Sequence, residues 1–125
     1  MNNKNIKNKK LVSGIHISGE IYTKNIRALK SLSKTKKNIS KIIKECHLKE
    51  LGSFYYQFPK GGFTGIISLV ESHIAVHTWP EFDYLTLDVY LCNYLKNNNN
   101  TCKKVFDKIS KIFQPYKITK RLILR

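Results

Sequence analysis

The sequence lacks any uninterrupted apolar run of the roughly 18 to 20 residues that a membrane-spanning helix needs. Its opening residues, MNNKNIKNKK, are polar and basic with no apolar stretch behind them, so a secretory signal peptide is not expected. Cysteine is scarce: there are three, an odd number, and none lies in a CxxC pair. These features predict free thiols in a reducing compartment, and the cytoplasm is the expected location.

Acidic residues are also scarce, since 8 Asp and Glu stand against 23 Lys and Arg and leave a formal net charge of +15. The excess lies on the flanks: residues 1–50 carry +10, residues 51–100 carry −2 and residues 101–125 carry +7. Aromatic residues do not alternate with the basic runs, as they do on RNA-binding platforms, so a nucleic-acid partner is not favoured. We expect a solvated lysine surface and a disordered basic arm over residues 1–10.

The pattern of apolar residues predicts one domain over residues 11–125, because a chain of this length supports a single core. Alternating apolar residues predict strands, and apolar residues at three- and four-residue spacing predict helices. The predicted order is β-α-β-β-β-β-α-β, an α+β fold in which an antiparallel sheet carries two helices on one face. The predicted strands are 11–22, 53–58, 63–70, 73–79, 84–92 and 117–125, and the predicted helices are 33–50 and a segment that Thr101 caps.

The segment ESHIAVHTWPE, residues 71–81, places a carboxylate, a hydroxyl and an imidazole consecutively at the start of an apolar strand. It matches neither HExxH nor GxSxG. His73 and His77 share one strand face and, with Cys92, offer three zinc ligands, although no other ligand spacing is present and no metal is expected. A nucleophile pair of Cys92 and His77, or core histidines beside a buried thiol, also fits the residues alone.

Together with GFTG before it and DVYLC after it, this segment resembles the prokaryotic S-adenosylmethionine decarboxylases, a self-processing, pyruvoyl-dependent family. The likeness is dense from Phe58 to Cys92 and thinner over residues 14–22. It implies that the Ser72 hydroxyl attacks the carbonyl of Glu71 and that the chain is cleaved between these two residues. Ser72 then becomes a covalent pyruvoyl cofactor, which forms a Schiff base with the substrate amine.

The resemblance also implies roles for three further side chains. His77 transfers a proton during processing, and Thr64 assists at a position where relatives usually carry serine. Cys92 is the proton donor in catalysis. Two processed protomers are implied to associate, giving a dimer with two large and two small chains.

For the substrate, the resemblance implies that Phe58 stacks on the adenine, that Glu81 holds the ribose hydroxyls and that Glu20 lies near the sulfonium. The expected reaction is decarboxylation of S-adenosylmethionine to the aminopropyl donor of spermidine synthesis. Related enzymes use the same cofactor on amino acids, so a pyruvoyl-dependent arginine or ornithine decarboxylase is the alternative. A basic nucleic-acid-binding module on a degenerate enzyme fold is the third interpretation.

Overall fold

The computed structural model describes residues 13–125, so the predicted basic arm lies outside the described residues. Within that range the chain forms six strands, three α-helices and one short 3₁₀ helix over Pro80–Phe82. The strands are β1 (Gly14–Tyr22), β2 (Glu50–Gln57), β3 (Phe63–Leu69), β4 (Ser72–Trp79), β5 (Tyr84–Cys92) and β6 (Lys117–Leu124). The helices are α1 (Ile26–Lys30), α2 (Leu32–Glu45) and α3 (Asn99–Ile112).

The six strands form one sheet in the order β2-β3-β4-β5-β1-β6, and each neighbouring pair is antiparallel. Strands β2 to β5 follow one another as a meander, whereas β1 lies between β5 and β6. The long helices α2 and α3 connect the parts of the sheet that are not joined by short turns. The predicted α+β fold with an antiparallel sheet is therefore confirmed.

The core lies between the helices and one face of the sheet, because every second residue of the inner strands is buried there. Helix α3 packs close to β1, and the ring of Phe106 occupies the space above Gly19, where any side chain would collide with it. None of the described helices is long and apolar enough to cross a membrane. The largest fully buried side chains are Phe63, Phe106, Phe113, Ile15, Ile17, Ile21, Leu29, Ile39, Ile67, Ile74, Leu85 and Leu87.

Several predicted boundaries were wrong. The helix predicted over 33–50 ends at Glu45, and His47 adopts a left-handed φ of 57° that turns the chain into β2. Helix α3 begins at Asn99, so Thr101 lies inside its first turn and does not cap it. The short helix α1 was missed, although the Asn25 side chain accepts a hydrogen bond from the Ala28 amide at 3.1 Å as an N-cap does.

The second face of the sheet is not covered by any of the described helices; we call it the open face. Alternation along the strands puts Thr64, His77 and Glu20 on this face, opposite in parity to the buried positions of their strands. It also carries large apolar side chains that are about half exposed. These are Phe54, Tyr56 and Ile66, which are 64%, 48% and 43% exposed.

Candidate active site

Thr64 and His77 lie opposite each other on the neighbouring strands β3 and β4. The Thr64 hydroxyl is hydrogen-bonded to Nδ1 of His77, and both side chains are partly buried. A hydroxyl at this position fixes the orientation of the imidazole and leaves its second nitrogen available for proton transfer. The geometry therefore suits the predicted role of this pair.

A cavity of about 680 Å³ opens beside this pair. Phe58, Trp79 and Glu81 line it together with Thr64 and His77. The volume lies in the range of sites for small organic ligands, and the wall combines the aromatic rings of Phe58 and Trp79 with a few polar groups, among them the carboxylate of Glu81. We call this the aromatic cavity.

The turn between β3 and β4 contains the predicted cleavage bond. Leu69 pairs with Ser72, so only Val70 and Glu71 form the connection. Glu71 has a φ of 57°, in the left-handed region that costs a residue with a side chain about 1–2 kcal/mol. Strain of this kind persists where the surrounding structure imposes it, and here it lies on the carbonyl side of the predicted scissile bond.

Ser72 begins β4 and contacts the last residue of β5. The Cys92 amide donates a hydrogen bond to Ser72 Oγ at 2.9 Å. A second cavity, of about 320 Å³, is lined by Glu71, Ser72 and Cys92 and by residues that follow α2 and β5. Cys92 is only 7% exposed, so its thiol is largely shielded from water. We call this the serine cavity.

The two cavities share no lining residue. Five strand steps of about 3.3 Å separate Ser72 from His77, which is roughly 16 Å along β4. Their side chains also point to opposite faces, as expected from their odd spacing. Within one chain, Ser72 and Cys92 lie in the serine cavity. The other predicted residues, Thr64, His77, Phe58 and Glu81, lie in the aromatic cavity, and the two sets are not in contact.

Glu20 lies in neither cavity. It stands on the open face of β1, where Arg121 Nη2 donates to Glu20 Oε1 at 3.1 Å. A carboxylate already paired with a guanidinium is less available to a cationic substrate. A larger cavity of about 720 Å³ lies among α1, α2 and the segment that follows α3, and it contains none of the predicted site residues.

The open face carries a second group of polar side chains near the C-terminal half of β5. His16 Nε2 lies 3.0 Å from Asp88 Oδ1, and the rings of His73 and Tyr90 are 5.5 Å apart. The pKa of His73 is lowered, mainly by burial and then by the nearby His16 and Arg125, while Asp88 opposes the shift. Among residues 13–125 no three His, Cys, Asp or Glu side chains are grouped as metal ligands.

Asn98 was missed by the sequence reasoning. It lines the serine cavity, and its Nδ2 donates to the carbonyl of Cys92 at 2.8 Å. Among the buried side-chain nitrogen and oxygen atoms of residues 13–125, its Oδ1 is the one that lacks a hydrogen-bond partner. The sequence offered no signal for it, because four identical residues at 97–100 are typical of a polar loop.

The chain is a sheet backed by helices on one face, with Ser72 at a strained turn beside a shielded thiol. The profile of the S-adenosylmethionine decarboxylase family matches residues 15–125, and the chain belongs to this family. The predicted family is therefore confirmed, while the roles of individual residues stay predictions.

Individual relatives agree with the family assignment. The chain is 34% identical over 116 residues to the S-adenosylmethionine decarboxylase proenzyme of Picrophilus torridus, covering 93% of this chain and 86% of the relative. The proenzyme of Thermoplasma volcanium is 33% identical over 112 residues, covering 90% and 83%. The crystal structure of the adenosylmethionine decarboxylase from Aquifex aeolicus superposes with a TM-score of 0.81 at 28% identity, covering 91% of each chain.

Proposed function

We propose that this protein decarboxylates S-adenosylmethionine after cutting its own chain between Glu71 and Ser72. The strongest support is the position of Ser72, which follows a strained residue and lies in a cavity with Cys92. In the processing step Ser72 Oγ bonds to the carbonyl carbon of Glu71, the peptide C–N bond breaks, and the hydroxyl proton passes to the nitrogen of residue 72, which gives an ester. Loss of the Cα hydrogen of residue 72 then breaks its Cβ–Oγ bond, which frees Glu71 as a carboxylate end and leaves a dehydroalanine. Water adds to this residue and ammonia leaves, which gives the pyruvoyl group. Breaking the peptide bond releases the strain at Glu71, which favours the forward direction.

The mature cofactor is proposed to be a pyruvoyl group at residue 72. Such a group supplies the carbonyl that holds the substrate amine and accepts the electrons released with CO₂. The serine cavity fits it, because a small carbonyl group replaces the Ser72 side chain without needing more room. Cys92 stands beside residue 72 in a site of low water access, where a thiol can return a proton to the substrate carbon.

We infer that the working enzyme is a dimer in which two open faces pack against each other. The processing residues of one chain are divided between two cavities about 16 Å apart along β4, too far for a hydrogen bond. In the proposed dimer the two-fold axis lies between the open faces and perpendicular to β4, so the turn before Ser72 in one protomer comes toward the His77 end of its partner. The Ser72 hydroxyl, which faces the helices in the single chain, turns toward the partner in this arrangement. The half-exposed Phe54, Tyr56 and Ile66 give this face the apolar character of a dimer interface.

The aromatic cavity is the proposed nucleoside pocket. Phe58 and Trp79 offer flat apolar surfaces for a purine, and Glu81 offers a carboxylate to the two ribose hydroxyls. Glu81 is exposed in the single chain, so the penalty arises only when a bound substrate covers it. A substrate that covers the carboxylate without supplying a diol leaves it unpaired at a cost of about 1–3 kcal/mol, roughly 5- to 150-fold in binding. Arginine and ornithine have no diol, which makes Glu81 the residue that separates the proposed substrate from its rivals.

The test is release of CO₂ from S-adenosylmethionine, arginine, ornithine and lysine by the wild type, Ser72→Ala and Glu81→Gln proteins. We expect turnover of S-adenosylmethionine only, no cleavage or turnover with Ser72→Ala, and loss of turnover with Glu81→Gln. Glu45→Gln, a substitution on helix α2, is the matched control and should behave as wild type. Faster turnover of arginine or ornithine, unaffected by Glu81→Gln, would assign the protein to the alternative function.

A further inference from the structure

In the side-chain amide of Asn98 the nitrogen forms a hydrogen bond and the oxygen does not. Its Nδ2 donates to the Cys92 carbonyl at 2.8 Å, and this bond fixes which end of the amide is nitrogen. Its Oδ1 is buried and accepts no hydrogen bond from the described residues. A buried acceptor without a donor is unfavourable and rare, so its retention inside the serine cavity calls for a donor that the cavity can provide.

Ser72 and Asn98 line the same cavity and are both hydrogen-bonded to the backbone of Cys92. Ser72 Oγ accepts from the amide of Cys92, and Asn98 Nδ2 donates to the carbonyl of the same Cys92. In an antiparallel ladder the N–H and C=O of one residue point to the same neighbouring strand. The Ser72 hydroxyl and the Asn98 amide therefore lie side by side at the same edge of β5, where β4 begins.

The hydrogen-bonding needs of the two groups are complementary. Accepting from Cys92 uses a lone pair of Ser72 Oγ and leaves the hydroxyl hydrogen to be donated. Asn98 Oδ1 has lone pairs and no donor. Each group therefore offers what the other needs, a free donor on Ser72 and a free acceptor on Asn98.

We propose that Asn98 is a positioning residue for self-processing, whose Oδ1 accepts the Ser72 hydroxyl hydrogen and so directs an oxygen lone pair at the Glu71 carbonyl. This inference rests on the proposed cleavage between Glu71 and Ser72. The amide of Asn98 is not basic enough to take the proton. It accepts a hydrogen bond from the Ser72 hydroxyl while the Oγ–C bond forms, and the proton then passes to the nitrogen of residue 72 as the C–N bond breaks.

The experiment follows the conversion of freshly translated full-length chain into its two fragments on denaturing gels, over a series of pH values. The variants are Asn98→Ala, Asn98→Asp and, as matched control in the same run of asparagines, the exposed Asn100→Ala. We expect Asn98→Ala to slow cleavage by about tenfold or more, the loss associated with one hydrogen bond that orients a nucleophile. Asn100→Ala should cleave at the wild-type rate.

Asn98→Asp separates positioning from a purely structural role. Aspartate retains an oxygen acceptor for Ser72 but, when ionised, cannot donate to the Cys92 carbonyl. If Asn98 positions Ser72, the aspartate variant cleaves faster than the alanine variant at a pH where its carboxylate is ionised, because the carboxylate still accepts from Ser72. If Asn98 only anchors Cys92, the two variants are equally slow at that pH, and the aspartate variant recovers only where its carboxyl is protonated and can donate to the Cys92 carbonyl; the inference is then wrong.

The result also separates this inference from the proposed function. A wild-type chain that never cleaves refutes the proposed function itself. A wild-type chain that cleaves, together with an Asn98→Ala chain that cleaves equally fast, refutes only the role of Asn98.

Discussion

Two variants that cannot cleave themselves alone should regain cleavage when they are combined, if the processing site is shared between two protomers. In one variant His77→Ala leaves Ser72 intact, and in the other Ser72→Ala leaves His77 intact. Each variant alone is expected to remain essentially full length, because the first lacks the proton-transfer group and the second lacks the nucleophile. Loss of such a group slows a reaction by about 10²–10⁴-fold.

The geometry determines what fraction of the His77→Ala chains should be cleaved. His77 is roughly 16 Å along β4 from Ser72 of its own chain, whereas proton transfer needs contact within about 3 Å. A mixed dimer contains one site with both functional residues, formed by Ser72 of the His77→Ala chain and His77 of the other chain. Random pairing of equal amounts places about half of the His77→Ala chains in mixed dimers, so about half of those chains should be cleaved.

The assay co-expresses the two variants with different affinity tags and measures cleavage of the His77→Ala chain on a denaturing gel. Capture through one tag and detection of the other confirms that mixed dimers are present. A chain carrying both substitutions, paired with wild type, is the control, since it should block cleavage of its wild-type partner. Mixed dimers without any cleavage of the His77→Ala chain would refute the shared site.

Three further predictions concern stability and reactivity. The lowered pKa of His73, against an ordinary value of 6.5, means that the unfolded chain takes up a proton first. The free energy of unfolding should therefore decrease as the pH is lowered from about 7.5 to 5.5, and it should decrease less in His73→Gln. Urea titrations measure it at each pH, and an equal dependence on pH in the two proteins would contradict the prediction. Burial raises the pKa of Cys102 to about 11, so iodoacetamide near neutral pH should modify it only after unfolding, as mass spectrometry can verify. Gly19→Ala should lower the free energy of unfolding by about 1–3 kcal/mol by forcing Phe106 aside, whereas Gly52→Ala, with nothing within 4 Å of the added methyl, should not.

The fold was predictable where apolar residues alternate strictly, and less so where they do not. Strand β5 was predicted with its observed ends, because its buried residues alternate without interruption from Leu85 to Leu91. The prediction for β2 began three residues late and ended one residue late, since β2 is an edge strand with almost all of its side chains exposed and therefore carries little alternation. The missed helix α1 has only five residues, too few for a helical period to be visible.

The site was predictable as a set of residues but not as an arrangement. The odd spacing of Ser72 and His77 indicated opposite faces, and the structure agrees. Which residues share a cavity depends on the register between β4 and β5, which puts Ser72 against Cys92, and no local pattern encodes that register. Asn98 could not be singled out from its neighbours because its importance comes from one unsatisfied oxygen.

The position of β1 between β5 and β6 has a consequence for how the protein can be made. Cleavage at the proposed bond would place β1, β2 and β3 in one piece and β4, β5 and β6 in the other, with β1 held on both sides by strands of the second piece. The two pieces would then be interleaved within one sheet and could part only by breaking three strand ladders. Folding before cleavage is a first-order event, whereas two separated pieces would have to find each other by diffusion. Heat denaturation of the cut enzyme should therefore be effectively irreversible at low concentration, while the uncut Ser72→Ala chain refolds.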